Sequence, residues 1–316
     1  MRIVFMGTPE FALPSLRALI NMPDAEVVGV FTQPDRPVGR GHKLEKPPVK
    51  QLAEQADIPV FQFEKVRRQQ GLDAMRSLRP DLVVTAAFGQ ILSQKLLDVP
   101  RIGTVNVHAS LLPKHRGAAP INWSIIMGDR CTGVTTMLTD VGLDTGSMLL
   151  QKSVEIGKEE TAGELTQRLA EIGAELLRET IIKLKEGSIT PVQQDESLMS
   201  YEPMLEKTLG LIDWNSDAET ISRLVRGVNP WPGAYTFFMG ETMKIWRVRP
   251  LECTQNDQQN GTVIVSSGKE GLIVKCQNGA VEITEMQMPG GKRMSARSFL
   301  AGKKIPVGTI LGEAHE

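Results

Sequence analysis

Cysteine and histidine are scarce in this sequence, and no long apolar run is present. The 316 residues include three cysteines (Cys131, Cys253 and Cys276) and four histidines. An odd number of widely spaced cysteines encodes neither a disulfide framework nor a zinc knuckle, so we expect reduced thiols. No run approaches the roughly 20 apolar residues that cross a bilayer, and the opening MRIVFMGTPEF lacks the pattern of a signal peptide. These absences favour a cytoplasmic protein without a membrane segment.

An excess of charge of one sign is also missing. Lysine and arginine number 36 against 37 acidic residues, which gives a net charge of -1, and 41% of the residues are hydrophobic. Such a balance excludes a disordered acidic or basic chain. It leaves nucleic-acid binding open, because a local basic patch suffices for that function. At about 150 residues per domain, the length predicts two domains.

The first half of the chain alternates short apolar runs with helical patterns. The apolar runs lie at residues 3–5, 27–31, 82–85 and 103–107. Strands that are apolar on both faces and separated by helices are typical of a parallel sheet covered on each side. We therefore predict an α/β fold with a Rossmann-like, doubly wound parallel sheet over residues 1–187. Its last helix begins at a capping box of Thr161 and Glu164 and ends at Gly187.

The second half has a different pattern. A polar segment at residues 188–208 is predicted to be the domain linker. After it come five short predicted strands, a hairpin signal at Gly240-Glu241 and one short helix near residues 295–301. Short strands at this density are typical of a small antiparallel barrel. We predict a second, smaller β-barrel domain over residues 209–316, similar to the oligonucleotide-binding (OB) fold.

The turn after the first strand resembles a dinucleotide-binding turn only at its start. The sequence Gly7-Thr8-Pro9-Glu10 lacks the second and third glycines of that fingerprint. Pro9 instead suits the first position of a helix. We therefore expect no nicotinamide cofactor.

The segment at residues 104–120 carries the strongest chemical signal. Asn106 and His108 alternate with valines on a predicted strand, so both side chains leave it on one face. Parallel strands present ligands and catalytic groups at their carboxyl ends, where an amide and an imidazole can act on one atom. The alternative is a purely structural histidine. The run Ser110, Leu111, Leu112 and Pro113 follows and offers mostly backbone groups, which suit the flat edge of a heterocycle.

A Gly/Asp-rich loop at residues 139–146 holds two aspartates. Asp140 fits ordinary turn chemistry. Asp144 has a second use, because a carboxylate near His108 would hold the imidazolium and accept a proton. No metal is expected, since the four histidines lack ligand spacing. Of these, His115 and His315 are expected to be solvent-exposed.

Together, Asn106, His108, the run at 110–113 and Asp144 resemble the active site of the formyltransferases that use 10-formyltetrahydrofolate. The resemblance extends over almost the whole chain, from FMGTPEFALPSL to the Asn-Pro-Trp-Pro sequence at residues 229–232. It implies that Asn106, His108 and Asp144 act as one catalytic unit and that Ser110, Leu111, Leu112 and Pro113 line the folate site. It also implies 10-formyltetrahydrofolate as co-substrate, without a metal, and the amino group of initiator methionyl-tRNA as acceptor.

Two basic regions are candidates for binding that tRNA. The resemblance identifies the loop at residues 33–46, with Arg40 and Lys43, as an insertion that enters the end of the acceptor stem, where Arg40 matches an important arginine of the family. The second region contains no acid between residues 292 and 304 and could supply phosphate contacts. Its basic residues are Lys292, Arg293, Arg297, Lys303 and Lys304. For both regions the alternative is an ordinary solvated surface.

Two alternative functions fit this sequence less well. A formyltransferase or hydrolase that acts on a small molecule, such as a sugar-nucleotide amine, would leave both basic regions without a role. A non-catalytic RNA-binding protein would not need Asn106, His108 and Asp144 together. We expect a monomer, because no uncovered apolar stripe indicates an interface.

Overall fold

The computed structural model describes residues 1–38, 43–252 and 257–312, which form two compact units. The first unit contains Met1–Pro120, Cys131–Glu155 and Thr166–Glu202. The second contains Ile121–Arg130, Ile156–Leu165 and Pro203–Glu316. The chain therefore passes between the units more than once, and residues 188–202 belong to the first unit. The boundaries predicted from the sequence at 187 and 208 stay a prediction.

The strands of the first unit vary from two to eight residues in length. In chain order they are β1 (Arg2–Gly7), β2 (Glu26–Thr32), β3 (Arg36–Val38), β4 (Lys43–Glu45), β5 (Val60–Gln62), β6 (Leu82–Ala86), β7 (Gly103–His108), β8 (Arg116–Gly117), β9 (Cys131–Leu138), β10 (Met148–Glu155) and β11 (Tyr201–Glu202).

The helices of the described residues are mostly short. They are α1 (Leu13–Ile20), α2 (Pro48–Gln55), α3 (Gln69–Leu78), α4 (Gln94–Leu97), α5 (Pro120–Ile126), α6 (Ala162–Glu186), α7 (Ala218–Gly227) and α8 (Ala296–Gly302). Single 3-10 turns lie at Glu10–Ala12, Glu196–Leu198 and Lys207–Gly210.

Seven of the described strands form the main sheet of the first unit, in the order β10-β9-β7-β6-β1-β2-β5. The five strands from β7 to β5 run parallel, and β9 and β10 extend the sheet in antiparallel pairing. Strand β6 is buried along its whole length because its apolar residues are covered on both faces. The chain proceeds outward in both directions from β1, which confirms the predicted doubly wound, Rossmann-like sheet.

Helix α6 begins where the sequence predicted. The carboxylate of Glu164 accepts hydrogen bonds from the amide and the hydroxyl of Thr161, both at 2.8 Å, and the Thr161 hydroxyl accepts the Glu164 amide at 3.3 Å. This reciprocal arrangement is the predicted capping box.

The second unit is built on an antiparallel sheet. Its strands are β12 (Ala234–Phe238), β13 (Glu241–Leu251), β14 (Val263–Ser267), β15 (Gly271–Lys275), β16 (Ala280–Gln287) and β17 (Met294–Ser295). They pair in the order β12-β13-β16-β15-β14, with β17 beside β16. Trp214, Ile245 and Leu272 lie in its buried core. The predicted separate, antiparallel second domain is confirmed, while its assignment to the OB type stays a prediction.

Candidate active site

Asn106 and His108 lie towards the carboxyl end of β7, which stands between β6 and β9 in the main sheet. Asn106 pairs in register with Thr85 of β6, and His108 pairs with Thr135 of β9. The Thr85 hydroxyl donates to Oδ1 of Asn106 at 2.8 Å. This bond fixes the orientation of the amide, so that its Nδ2 donor group points away from Thr85. Strand β6 therefore orients the Asn106 amide through Thr85.

The two ring nitrogens of buried His108 have different surroundings. Nε2 lies 3.0 Å from the carbonyl oxygen of His115. Because a carbonyl only accepts, this hydrogen bond requires a proton on Nε2. Nδ1 lies 3.6 Å from Oδ1 of Asp144, and the two side chains are only 7% and 14% exposed. Nδ1 is therefore the ring nitrogen that is available for a hydrogen bond to Asp144 or to a substrate.

The loop after β9 separates the roles of its two aspartates. Asp144 has a φ of 53°, and its Oδ2 accepts the amide of Gly117 at 2.9 Å. Asp140 is exposed, and its Oδ1 accepts the Gly142 amide at 3.0 Å and the Thr145 hydroxyl at 2.7 Å. Asp140 therefore stabilises the turn, and Asp144 is the carboxylate beside His108.

Side chains of β9 and β10 fix the backbone of the run at residues 110–113. The Thr135 hydroxyl donates to the Ser110 carbonyl at 2.7 Å and accepts the Leu112 amide at 3.1 Å. Gln151 donates to the Leu112 carbonyl at 2.8 Å. These backbone groups already hydrogen-bond within the protein. The half-buried side chains of Leu111 and Pro113 therefore remain for contact with a ligand, and we call the run at residues 110–113 the wall of the site. A folate contact at these residues stays a prediction.

A supporting segment at residues 194–202 lies where the sequence predicted only a linker. Strand β11 pairs with β8 beside the site. The buried guanidinium of Arg116 donates to Oε1 of Gln194 at 3.0 and 2.9 Å, and Gln194 donates in turn to the carbonyls of Asp144 and Gly146, both at 2.8 Å. Arg116 also hydrogen-bonds Glu196 and holds the pKa of that carboxyl below its usual range. The segment thus fixes the Asp144 loop.

His115 contradicts the expectation that it is solvent-exposed. Its residue exposure is 5%, and Nδ1 lies 2.8 Å from Oε1 of Glu202, which is 1% exposed. A buried imidazole needs a polar partner, and Glu202 supplies it. Sequence reasoning could not find this pair, because no local pattern connects residues so far apart along the chain.

The predicted tRNA-binding residues fall into three groups. Arg40 belongs to the segment 39–42, which lies outside the described residues. The backbone of Lys43 begins β4, but its side chain is also outside the described part of the chain. In the second unit, Arg293 binds Glu285 at 2.8 Å and lies over the Trp246 ring, while Arg297 approaches Glu282 at 3.4 Å. Lys292, Lys303 and Lys304 are exposed, and no ion pair to them is seen within the described chain. Strand β16 therefore supplies acids that the sequence segment lacks.

Metal and membrane features are not found in the parts of the chain that the structure describes. No three His, Cys, Asp or Glu side chains in those parts are grouped so that they could hold a metal ion. None of the helices there combines the length and apolar character needed to cross a membrane. Cys131 and Cys276 form no disulfide within the described residues.

Comparison with known families gives matches to both halves of the chain. Residues 1–181 match the family described as formyl transferase, and residues 204–304 match the family described as formyl transferase, C-terminal domain. The methionyl-tRNA formyltransferase of Citrifermentans bemidjiense is 51% identical over 313 residues, which cover 99% of this chain and 97% of the relative.

Solved structures with low sequence identity share the fold. The sugar 3N-formyl transferase WlaRD aligns with a TM-score of 0.66 at 17% identity, over 91% of this chain and 97% of its own. HypX from Aquifex aeolicus, in complex with tetrahydrofolic acid, aligns with a TM-score of 0.63 at 20% identity over 98% of this chain. The chain spans about half the length of HypX, at 50%.

Proposed function

Because this chain belongs to the formyl transferase family, we propose that it transfers a formyl group from 10-formyltetrahydrofolate to the free amino group of initiator methionyl-tRNA. The relative from C. bemidjiense carries the name of this activity. The observation that carries the proposal is the position of Asn106 and His108 on one face of β7, with Asp144 beside His108.

The co-substrate supplies the formyl group. Its flat ring fits a rigid wall better than a mobile loop, because less ordering is needed on binding. The run at residues 110–113 has that property, since Thr135 and Gln151 fix its backbone. Leu111 and Pro113 would then pack against the ring. Support for a folate ligand on this fold comes from HypX, which was solved with tetrahydrofolic acid.

Asn106 and His108 are assigned to the formyl oxygen. As the amine attacks the formyl carbon, that oxygen gathers negative charge, and a fixed donor in such a position contributes about 3 to 4 kcal/mol in other enzymes. Nδ2 of Asn106 is oriented by Thr85. Nδ1 of protonated His108 is the second donor, because Nε2 remains on the His115 carbonyl.

Asp144 is assigned to proton transfer. A free α-amine has a pKa of about 8, so a modest base suffices to expose its lone pair near neutral pH. The Asp144 carboxylate is held by the Gly117 amide and lies beside Nδ1 of His108. It is therefore positioned to support the charged imidazole and to pass the amine proton towards the departing nitrogen.

The tRNA is assigned to the two basic regions. Arg40 and Lys43 would contact the acceptor end, and the cluster of Lys292, Arg293, Arg297, Lys303 and Lys304 would contact phosphates. Within this cluster, the lysines carry the charge that no described acid offsets. We place the reaction in the cytoplasm, where translation begins and where cysteines outside disulfides, such as Cys131 and Cys276, stay reduced.

The test is an assay of formyl transfer from 10-formyltetrahydrofolate. The acceptors are initiator methionyl-tRNA, free methionine and an amino-sugar nucleotide, each at the same amine concentration. We expect transfer to the tRNA and little to the small amines, with Asn106→Ala as the inactive control. Efficient transfer to the amino-sugar nucleotide, without transfer to the tRNA, would assign the chain to a small-molecule formyltransferase instead.

A further inference from the structure

We propose that a buried ring of hydrogen bonds formed by His115, Ser200 and Glu202 positions His108 for catalysis. The three are positioning residues, because they act on His108 through the His115 carbonyl. The inference rests on the function proposed above, since His108 is assigned there to the formyl oxygen.

The ring closes on itself through three hydrogen bonds. The His115 amide donates to the Ser200 hydroxyl at 2.9 Å, and that hydroxyl donates to Oε1 of Glu202 at 3.0 Å. Oε1 of Glu202 lies 2.8 Å from Nδ1 of His115. His115 and Glu202 are buried and Ser200 is half-buried, so water has little access to the bond between His115 and Glu202. A low local dielectric strengthens each of them.

The ring determines the backbone conformation of His115. This residue has a φ of 57°, in the left-handed region that non-glycine residues adopt at a cost. Such a conformation persists only where its surroundings hold it. Here the ring holds the amide and side chain of His115, and the Arg116 amide donates to the Ser200 carbonyl at 2.9 Å. Both sides of the peptide plane that carries the His115 carbonyl are therefore fixed.

That carbonyl is the acceptor for Nε2 of His108, at 3.0 Å. If the ring opens, His115 can relax, its carbonyl moves, and the hydrogen bond that orients the His108 imidazole is broken. Nδ1 would then shift relative to Asp144, which lies only 3.6 Å away. Misplacement of a catalytic group by about 1 Å can lower a rate a hundredfold.

A carboxylate at position 202 is difficult to explain by stability alone. Removing a charged group from water is costly, and apolar residues of similar volume often stabilise a fold as well as a buried ion pair does. Glu202 nevertheless lies at 1% exposure, directly against the loop that carries His115. The geometry points to orientation as its role.

The experiment compares Glu202→Ala with Glu202→Gln in the full-length chain, by steady-state kinetics with both substrates and by thermal unfolding. Alanine opens the ring, and we expect kcat to fall about 10- to 100-fold with KM for both substrates within about twofold of the parent, because the binding surfaces are untouched. Glutamine keeps an acceptor oxygen for Ser200 and His115, and it should restore most of kcat.

Thr180→Val is the matched control for reduced stability. Its hydroxyl is buried on α6 and lies 2.7 Å from the Thr136 hydroxyl, so valine removes a buried hydrogen bond outside the ring. We expect a lower melting temperature and an unchanged kcat. If Glu202→Ala lowers kcat no more than Thr180→Val does, the positioning role is wrong.

Ser200→Ala covers the case in which Glu202→Ala does not fold. It removes one link of the ring, and a several-fold fall in kcat at constant KM is expected; an unchanged kcat would overturn the inference. A parent protein without formyl transfer would refute the proposed function. Normal transfer by the parent and by both alanine variants would refute the positioning role alone.

Discussion

Nδ1 of His108 and Oδ1 of Asp144 are 3.6 Å apart, within a largely buried setting. This separation exceeds a normal hydrogen bond, so the proposed proton transfer between them would require a bridging water or a small closing movement. Because Nε2 is engaged by a carbonyl, a histidine rotated by half a turn would lose that bond. The hydrogen bond to the His115 carbonyl therefore selects one orientation of the His108 ring.

Removal of either proposed oxyanion donor should be costly. We expect Asn106→Ala and His108→Ala each to lower kcat by about a hundredfold or more, the scale of a single missing donor. The KM for the folate should change little, because the wall at residues 110–113 does not depend on either side chain. Kinetics over a range of folate concentrations, with saturating tRNA, check both quantities. Near-normal turnover in either variant would exclude that residue from the oxyanion site.

The two aspartates of the loop form a matched pair for the proton-transfer assignment. Asp144→Asn keeps an acceptor for the Gly117 amide but loses the basic carboxylate, and we expect kcat to fall about a hundredfold. Asp140→Asn keeps the turn bonds to Gly142 and Thr145 and should retain activity. Both variants should unfold cooperatively. An active Asp144→Asn and an inactive Asp140→Asn would exchange the two roles.

The capping box of α6 should give a pH-dependent stability. Hydrogen bonds from the amide and hydroxyl of Thr161 hold the pKa of the Glu164 carboxyl below its usual range. A lowered carboxyl pKa stabilises the fold above the unfolded value of about 4.3, and this stabilisation disappears as pH falls through the folded value. Thr161→Ala should lower the free energy of unfolding by about 1 kcal/mol at pH 7 and by less at pH 4. Urea unfolding at the two pH values measures both. Thr161→Ser, which keeps the hydroxyl, is the control; equal costs at both pH values would contradict the account.

Salt dependence should separate the arginines with acidic partners from the lysines for which the described residues show no ion pair. Neutralising Lys292 and Lys304 should reduce the slope of log binding constant against log salt by about 0.9 for each phosphate that the protein no longer neutralises, with turnover at saturating tRNA preserved. Arg293→Gln should change the slope less, because Glu285 already offsets this charge. Lys95→Gln removes an exposed charge from the first unit as control. An unchanged slope in the double lysine variant would show that this basic cluster is an ordinary solvated surface and does not contact the tRNA.

Arg40 should behave differently from the cations of the second unit. If it contacts the acceptor end near the reacting amine, Arg40→Ala should lower kcat at saturating tRNA as well as weaken binding, because small misplacements there are costly. Kinetics over a range of tRNA concentrations separate the two effects. A change in KM alone would make Arg40 a plain phosphate contact.

Local patterns in the sequence predicted the elements that depend on local chemistry. The buried strand β6, the capping box at Thr161 and the hairpin at Gly240 are examples. The support of the site could not be predicted, because Gln194 and Glu202 meet Arg116 and His115 across long stretches of chain. The contacts of Glu282 and Glu285 with the basic cluster could not be predicted either. They depend on strand pairing, which a count of charges along the sequence does not include.

Residues 188–202 determine how short a working fragment of this protein can be. A truncated gene that ends at codon 187 would still encode Asn106, His108 and Asp144 but would omit Gln194, Ser200 and Glu202. Its product would carry the side chains assigned to the reaction without the hydrogen bonds by which Gln194, Ser200 and Glu202 hold the Asp144 loop and His115. Any attempt to graft this chemistry onto another carrier must therefore include the chain through Glu202, even though the side chains assigned to the reaction end nearly sixty positions earlier.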